Sequence, residues 1–239
     1  MMKYINSERL KHKRTFYKKL IFIMPVVCIL TAFFLMAGNY VQSAGYNWWY
    51  MLFLPFTFIY IGAAMINREK KYNFHGMFTL ADDKKKLWYG KVIMGTVILA
   101  ETCVIFWGLM FLCGWFISPE ISLAENTRAT VLLILTFSWQ IPVFMYITLK
   151  SNQFFSVVAG VFLNFGIAAF CAERSLWWIP FAIPAKVMCY AVRVRPNGLT
   201  VPQTESLCDT RDVIMGTAIC VVLYVVMTLV TAKLFEKQE

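Results

Sequence analysis

The chain alternates long apolar stretches with short polar connections. Six apolar runs are present, at residues 20–37, 48–66, 88–117, 129–149, 154–172 and 213–235. A helix of about 20 residues is long enough to cross a hydrocarbon core of about 30 Å. The pattern therefore predicts an all-α integral membrane protein with six transmembrane helices.

These spans form one predicted transmembrane domain, residues 20–235, with short segments around them. Those segments are a basic N-terminal stretch (1–19), the connection between the second and third spans (67–87), a loop before the last span (173–212) and a tail (236–239). The connections leave no room for a separate soluble domain. Within the fourth span, Pro142 predicts a kink, because proline lacks the N–H group that a helix interior needs.

Basic residues are distributed unequally among the connecting segments. Seventeen Lys and Arg lie before the first span, in the second and fourth connections and in the tail, against six elsewhere. Lys and Arg near the ends of spans are retained in the cytoplasm. The count predicts that both termini are cytoplasmic and that the loop 173–212 lies outside.

Composition excludes a soluble globular protein. The chain is 59% hydrophobic and 15% charged, whereas soluble domains average about 25% charged residues. Its formal net charge of +10 is explained by the retention of basic segments on one side of the membrane, so no nucleic-acid partner is predicted.

The N-terminal segment has two interpretations. Leu10, Tyr17 and Leu20 fall near one face of a helix among basic residues, which suits a helix lying at the inner membrane interface. Alternatively, the segment is only a positive flank that sets the topology.

Motifs for catalysis and nucleotide binding are absent from the sequence. It contains no phosphate-binding loop, no dinucleotide-binding turn, no zinc-protease helix and no nucleophile elbow. We therefore predict that the chain is not an enzyme and holds no metal or cofactor. Cys189 and Cys208 both fall in the predicted outer loop, where a disulfide is allowed, and their pairing stays open.

Three polar residues within the spans are candidates for a substrate path. Glu101 lies near mid-depth of the third span by residue count, and an ionisable group there marks a pathway or a buried partner. Gln140 and Asn164 are amides, which also commonly form hydrogen bonds between helices.

Two of the connecting segments are unusually apolar. Between 67 and 87, the patch of Phe74, Met77 and Phe78 lies among basic clusters and could dock on a cytosolic partner or on the membrane face. The run 176–184 contains Trp177, Trp178, Pro180 and Pro184. It is too short to span and is broken by its prolines, which favours a re-entrant or interfacial element.

Several segments, in order along the chain, resemble one family. They are residues 7–16, Pro25 in the first span, and residues 46–50, 176–180, 185–189 and 195–199. Together they resemble the permease subunits of lantibiotic self-protection ABC transporters, which are ABC-2 type permeases. The resemblance extends over essentially the whole length with the same six-span plan.

The resemblance implies a heteromeric exporter in the plasma membrane of a Gram-positive bacterium. Its other parts would be a second related six-span permease and two copies of a separate ATP-binding subunit, so ATP is bound by a partner. The cargo would be a cationic antimicrobial peptide, moved from the membrane to the medium. The coupling helix of that family maps onto residues 73–86 and its re-entrant outer helices onto 176–190. Phe74, Met77 and Phe78, with Lys84, Lys85 and Lys86, would then contact the ATP-binding subunit.

Other functions remain open at this point. An ABC-2 permease could export another drug or a lipid, because the sequence does not define the cargo. A membrane scaffold or sensor that binds a partner without transport is also compatible with short loops and the lack of catalytic motifs.

Overall fold

The computed structural model describes residues 2–12, 15–36, 40–71, 83–117, 119–202 and 209–237. These residues form helices, and the only bridge of strand type among them pairs Val194 with Thr200. The all-α prediction is confirmed. In chain order the helices are α1 (Met2–His12), α2 (Tyr17–Leu35), α3 (Val41–Lys71), α4 (Lys84–Phe116), α5 (Leu123–Phe137), α6 (Gln140–Lys150), α7 (Gln153–Cys171), α8 (Ile183–Ala191) and α9 (Thr210–Glu236).

Length and apolar character single out the helices that can cross a membrane. In the described ranges, α2, α3, α4, α7 and α9 each meet both conditions. The pair α5–α6 meets them jointly, which gives five or six candidate spans within these ranges. The membrane boundaries inside the helices stay predictions.

The break between α5 and α6 has a local cause. The two helices meet at an angle of 40°, close to Pro142. Proline has no N–H to offer the carbonyl of Ser138. That carbonyl instead accepts from the N–H of Ile141 at 3.1 Å, so the turn tightens and the axis bends. The predicted kink is therefore present.

Polar side chains fix several helix starts by accepting backbone N–H groups that have no partner in the first turn. The carboxylate of Asp83 accepts from the N–H of Lys85 and of Lys86 at the start of α4. Ser122 and Glu125 form a reciprocal capping box at α5. Asn152 accepts from the N–H of Phe155 at 2.7 Å where α7 begins.

Helix α3 is the centre of the bundle. Of its most apolar window, 78% is buried, against 17–33% for the other four long helices. It contains one wide turn, Trp49–Phe53, in which the N–H of Leu54 bonds the carbonyl of Trp49. Trp49 stacks on Phe106 of α4 with ring centroids 4.3 Å apart. Helices α2, α4, α6 and α7 pack directly against α3.

The N-terminal segment contains a separate helix, α1, whose position at the membrane interface stays a prediction. Leu10 lies on α1, whereas Tyr17 and Leu20 lie on α2, so the three do not form one continuous helical face. Leu10 is 70% exposed. Helix α1 instead packs along α4, and its contacts are described below.

The bundle has two distinct ends. At the basic end, α3 finishes in Arg68, Lys70 and Lys71, α4 begins, and α1 packs beside them. At the hairpin end, residues 193–202 turn at Gly198, whose φ of 84° is in the left-handed region that glycine adopts readily.

Candidate functional site

A cluster of buried charges joins three helices at the basic end. Lys91 of α4 is 0% exposed and its ammonium lies 2.9 Å from Glu8 of α1 and 3.5 Å from Glu69 of α3. Lys11 of α1 lies 2.7 Å from Glu69 and 3.1 Å from Glu8. The two cations and two carboxylates alternate, so the cluster is formally neutral.

Backbone contacts support the same docking of α1. The guanidinium of Arg68 donates to the carbonyl of Lys11 at 3.0 Å, which ties the end of α1 to α3. A Cβ on Gly90 would lie 3.1 Å from the Cβ of Tyr4, so glycine permits the close approach of α1 to α4. Helix α1 is thus attached to both long helices that flank the connection 72–82.

Burial and ion pairing act in opposite directions on this cluster. Burial disfavours the charged form of Glu8, but Lys91 and Lys11 outweigh it, so the pKa of Glu8 is lowered. Burial likewise opposes the charge on Lys11, and the bond to Glu69 with the field of Glu8 raises its pKa overall. Both groups are therefore held in their charged forms near neutral pH.

Sequence reasoning missed this cluster. Lys11 and Lys91 entered the count of basic residues, and Glu8 and Lys11 fall in the resembling segment 7–16, but no ion pair with Glu8 or Glu69 was predicted. One signal was available, since Glu8 and Lys11 are three positions apart and lie on the same face of a helix. Nothing in the sequence indicated that Lys91 would lie next to them.

The six predicted contacts to an ATP-binding subunit divide into two groups. Phe74, Met77 and Phe78 lie outside the described residues. Lys84, Lys85 and Lys86 form the first turn of α4 at the basic end. Lys85 lies 2.9 Å from Glu236 of α9, and Lys86 lies 3.2 Å from Asp83. Contact of these lysines with a partner stays a prediction.

Glu101 lies in a groove rather than in the middle of the bundle. The groove has a volume of about 780 Å³ and is enclosed by α1, α2 and α4. Lys18, in the first turn of α2, also lines it. Glu101 therefore shares a groove with the first turn of α2, and its depth in the membrane stays a prediction. A substrate-path role for Glu101 stays a prediction.

Gln140 and Asn164 bind each other. Two hydrogen bonds of 2.8 and 2.7 Å join their amides across α6 and α7, and Asn164 also donates to the carbonyl of Gly160 at 2.8 Å. Both side chains are buried. These hydrogen bonds pair the two buried amides with each other and join α6 to α7. A role in a substrate path stays a prediction.

The apolar segment before the last span consists of turns followed by α8. Trp177, Trp178 and Pro180 lie in the turns, and Pro184 lies in the first turn of α8. The nine residues of α8 extend only about 14 Å, so α8 does not cross a membrane. Lys186 on α8 lies 5.8 Å from the ring centre of Trp177 and 3.9 Å from Asp212 of α9. These contacts fix the segment on the last helix.

The hairpin 193–202 is held against the first turns of α3. The amide of Asn47 donates to the carbonyls of Arg195 and Pro196 at 2.9 and 3.0 Å. The hydroxyl of Tyr50 donates to the carbonyl of Val194 at 3.5 Å. Two segments separated by about 150 positions therefore meet at this end.

The pairing of Cys189 with Cys208 stays open. Cys189 is buried on α8, and Cys208 lies outside the described residues.

Among the residues that the structure describes, no group of three or more His, Cys, Asp or Glu side chains is placed to hold a metal ion.

Comparison with known proteins supplies the family. Residues 4–167 match the family model described as ABC-2 family transporter protein. The match extends from α1 to within α7, and it includes the charge cluster and the Gln140–Asn164 pair. No curated protein and no solved structure matches the chain. Because the match extends over more than half of the chain and the structure contains several apolar helices, this multi-pass membrane protein belongs to the ABC-2 family of transporter proteins.

Proposed function

We propose that the chain is a permease subunit of a heteromeric ABC exporter that removes a cationic lantibiotic peptide from a bacterial plasma membrane and so protects the cell. ABC-2 membership makes it a membrane transport component that depends on an ATP-binding partner. The proposal adds that this partner is present in two copies, that a second related permease completes the complex, and that the host is Gram-positive.

One observation supports the resemblance from which the cargo is proposed. Among the segments that resemble lantibiotic permeases, residues 46–50 and 195–199 lie in contact, through the bonds of Asn47 to Arg195 and Pro196. Residues 176–180 and 185–189 also meet, through Trp177 and Lys186. The short sequence similarities thus belong to one contacting region at the hairpin end, and they support a shared permease design.

The basic end is proposed to face the cytoplasm. This end contains the start of α2 and the basic residues Lys70 and Lys85. Lys70 contacts the end of α6, and Lys85 contacts the end of α9. Basic residues that flank spans favour the cytoplasmic side. This orientation leaves both termini inside and the hairpin 193–202 outside.

Force from ATP binding is proposed to enter through the connection 72–82 and the first turn of α4. Phe74, Met77 and Phe78 would contact the ATP-binding subunit, and α4 would carry the movement. Replacing Phe74 and Phe78 with Ser should abolish protection while membrane insertion stays normal. A normally inserted double variant that still protects would contradict this coupling role.

The cargo is tested by survival. This chain, the second permease and the ATP-binding subunit are expressed together in a peptide-sensitive Gram-positive host. Their expression should raise the inhibitory concentration of cationic lantibiotics. The matched control carries an ATP-binding subunit in which the phosphate-binding Lys is replaced, and it should give no protection. Protection against an unrelated drug without protection against any lantibiotic would overturn the choice of cargo and leave the permease assignment intact.

A further inference from the structure

The groove at the basic end combines an apolar wall with a charged rim. Ile21, Met94 and Val97 supply apolar lining, and Arg9 and Lys18 supply positive charge. Its volume of about 780 Å³ lies in the usual range for ligand pockets, roughly 300–1,000 Å³. The groove can therefore hold a ligand with an acyl portion and a charged head.

Cations at this end of the bundle fall into two classes. Lys11 and Lys91 are neutralised by Glu8 and Glu69. Arg9 and Lys18, in contrast, form no ion pair or side-chain hydrogen bond with any residue in the described ranges. Both are exposed. Among the unpaired cations of α1 and α2 in the described ranges, Arg9 and Lys18 are the two that line the groove, whereas Lys3 and Lys19 do not.

The length of α2 indicates that the charged rim, Arg9 and Lys18, lies at the membrane surface. Helices α2 and α4 run in the same direction, because Lys18 and Val97 share this groove while Leu30 and Leu112 share a shallow pocket further along. The 19 residues of α2 extend about 28 Å, close to the hydrocarbon thickness of about 30 Å. The first turn of α2 therefore lies at head-group level, with the apolar wall beside the acyl region.

We propose that this groove is a binding site for one anionic phospholipid, whose phosphate lies between Arg9 and Lys18 and whose acyl chains pack along Ile21, Met94 and Val97. With Glu101, the described residues of the lining carry two positive charges and one negative charge, so their net charge complements a singly charged phosphodiester. The carboxylate of Glu101 accepts a hydrogen bond from a head-group hydroxyl, as the glycerol of phosphatidylglycerol offers. The site links α1 to α2 and is independent of the transported cargo.

The test compares charge-matched variants of the full chain in its purified complex. Each complex is reconstituted in nanodiscs of phosphatidylcholine containing a minor fraction of phosphatidylglycerol, and the retained phospholipids are counted by native mass spectrometry. Arg9→Gln/Lys18→Gln should lower the preference for phosphatidylglycerol by roughly tenfold, because two basic contacts are lost. The control, Lys3→Gln/Lys19→Gln, removes the same charge from exposed positions on α1 and α2 that do not line the groove, and should keep the preference.

A second variant tests the acyl portion without changing charge. Val97 is 39% exposed in the groove, so Val97→Trp should fill it and displace the retained lipid while the complex stays assembled. Equal loss of phosphatidylglycerol in the groove and control variants would show that general surface charge attracts the lipid, and would overturn the site. Displacement of the lipid by equimolar lantibiotic would also overturn it, because the groove would then belong to the cargo. The survival of cells exposed to lantibiotic tests the proposed function separately, so failure of the lipid site and failure of the proposed function can be told apart.

Discussion

The buried ammonium of Lys91 on α4 lies 2.9 Å from the carboxylate of Glu8 on α1, 83 positions earlier in the chain. The second carboxylate oxygen of Glu8 is also buried and has no hydrogen-bond partner among the described residues. Burying two charges is costly, and their attraction offsets that cost only while both partners are present. The pair therefore makes the docking of α1 conditional on α4.

Removing one partner should release α1. Lys91→Met leaves Glu8 buried with only Lys11 at 3.1 Å. Loss of one partner of a buried pair costs about 3–5 kcal/mol. We expect a lower melting temperature in detergent and faster protease cleavage between α1 and α2.

Two further variants separate charge loss from general damage. Glu8→Leu/Lys91→Met removes both charges and leaves Lys11 paired with Glu69 at 2.7 Å, so it should recover much of the lost stability. Lys85→Met breaks a half-exposed pair with Glu236 and should lower the melting temperature much less, because solvent screens that pair. A double variant as unstable as Lys91→Met would contradict the account.

Acid should undock α1. The pKa of Glu8 lies below the ordinary value of 4.5, so its contribution is complete above that ordinary value and is lost as the pH falls through the lowered pKa. Hydrogen exchange should therefore show α1 protected at neutral pH and exposed in strong acid. Glu8→Gln should lose protection already at neutral pH and respond much less to acid. An unchanged acid transition in that variant would assign the titration to another group.

Variants of the Gln140–Asn164 pair can separate a role in helix packing from a role in a substrate path. Asn164→Leu leaves the buried amide of Gln140 without its partner, and an unsatisfied buried polar group costs about 1–3 kcal/mol. Gln140→Leu/Asn164→Leu removes both amides and should regain stability. If that double variant is stable and still protects cells, the pair serves packing; if it is stable but inactive, the amides belong to the substrate path.

Two glycines on α7 form a matched pair. A Cβ on Gly160 would overlap Cδ1 of Ile59 and lie 3.0 Å from the ring of Phe144, whereas a Cβ on Gly166 meets nothing within 4 Å. Gly160→Ala should lower stability by about 1–3 kcal/mol through overpacking. Gly166→Ala should leave the melting temperature unchanged or slightly higher. Equal effects of the two substitutions would contradict the packing of α7 against α3.

Much of the fold followed from the sequence because the spacing of apolar runs is set by the thickness of a bilayer. That constraint predicted the long helices, and the missing N–H of Pro142 predicted the bend between α5 and α6. The groove that Glu101 shares with Lys18 of α2 was not predicted, because residue counting along α4 alone does not show how α2 and α4 are offset from each other.

The charge cluster could not be predicted for a different reason. It depends on which face of α1 meets α4, and thus on packing between residues far apart in the sequence. The partners of Gln140 and Asn47 depend on tertiary contacts in the same way. By contrast, the resemblance to lantibiotic permeases depends on short segments of sequence and needs no knowledge of tertiary contacts. The match of residues 4–167 confirms that the chain belongs to the ABC-2 family.

The most direct test of the central claim is to identify what accompanies the chain in its native membrane. The tagged protein is extracted in mild detergent, and co-purifying proteins are quantified by mass spectrometry. A permease subunit should bring down an ATP-binding subunit and a second six-span protein in fixed proportion. Recovery of the chain alone, or with an unrelated signalling protein, would contradict the claim that it works as part of a heteromeric exporter.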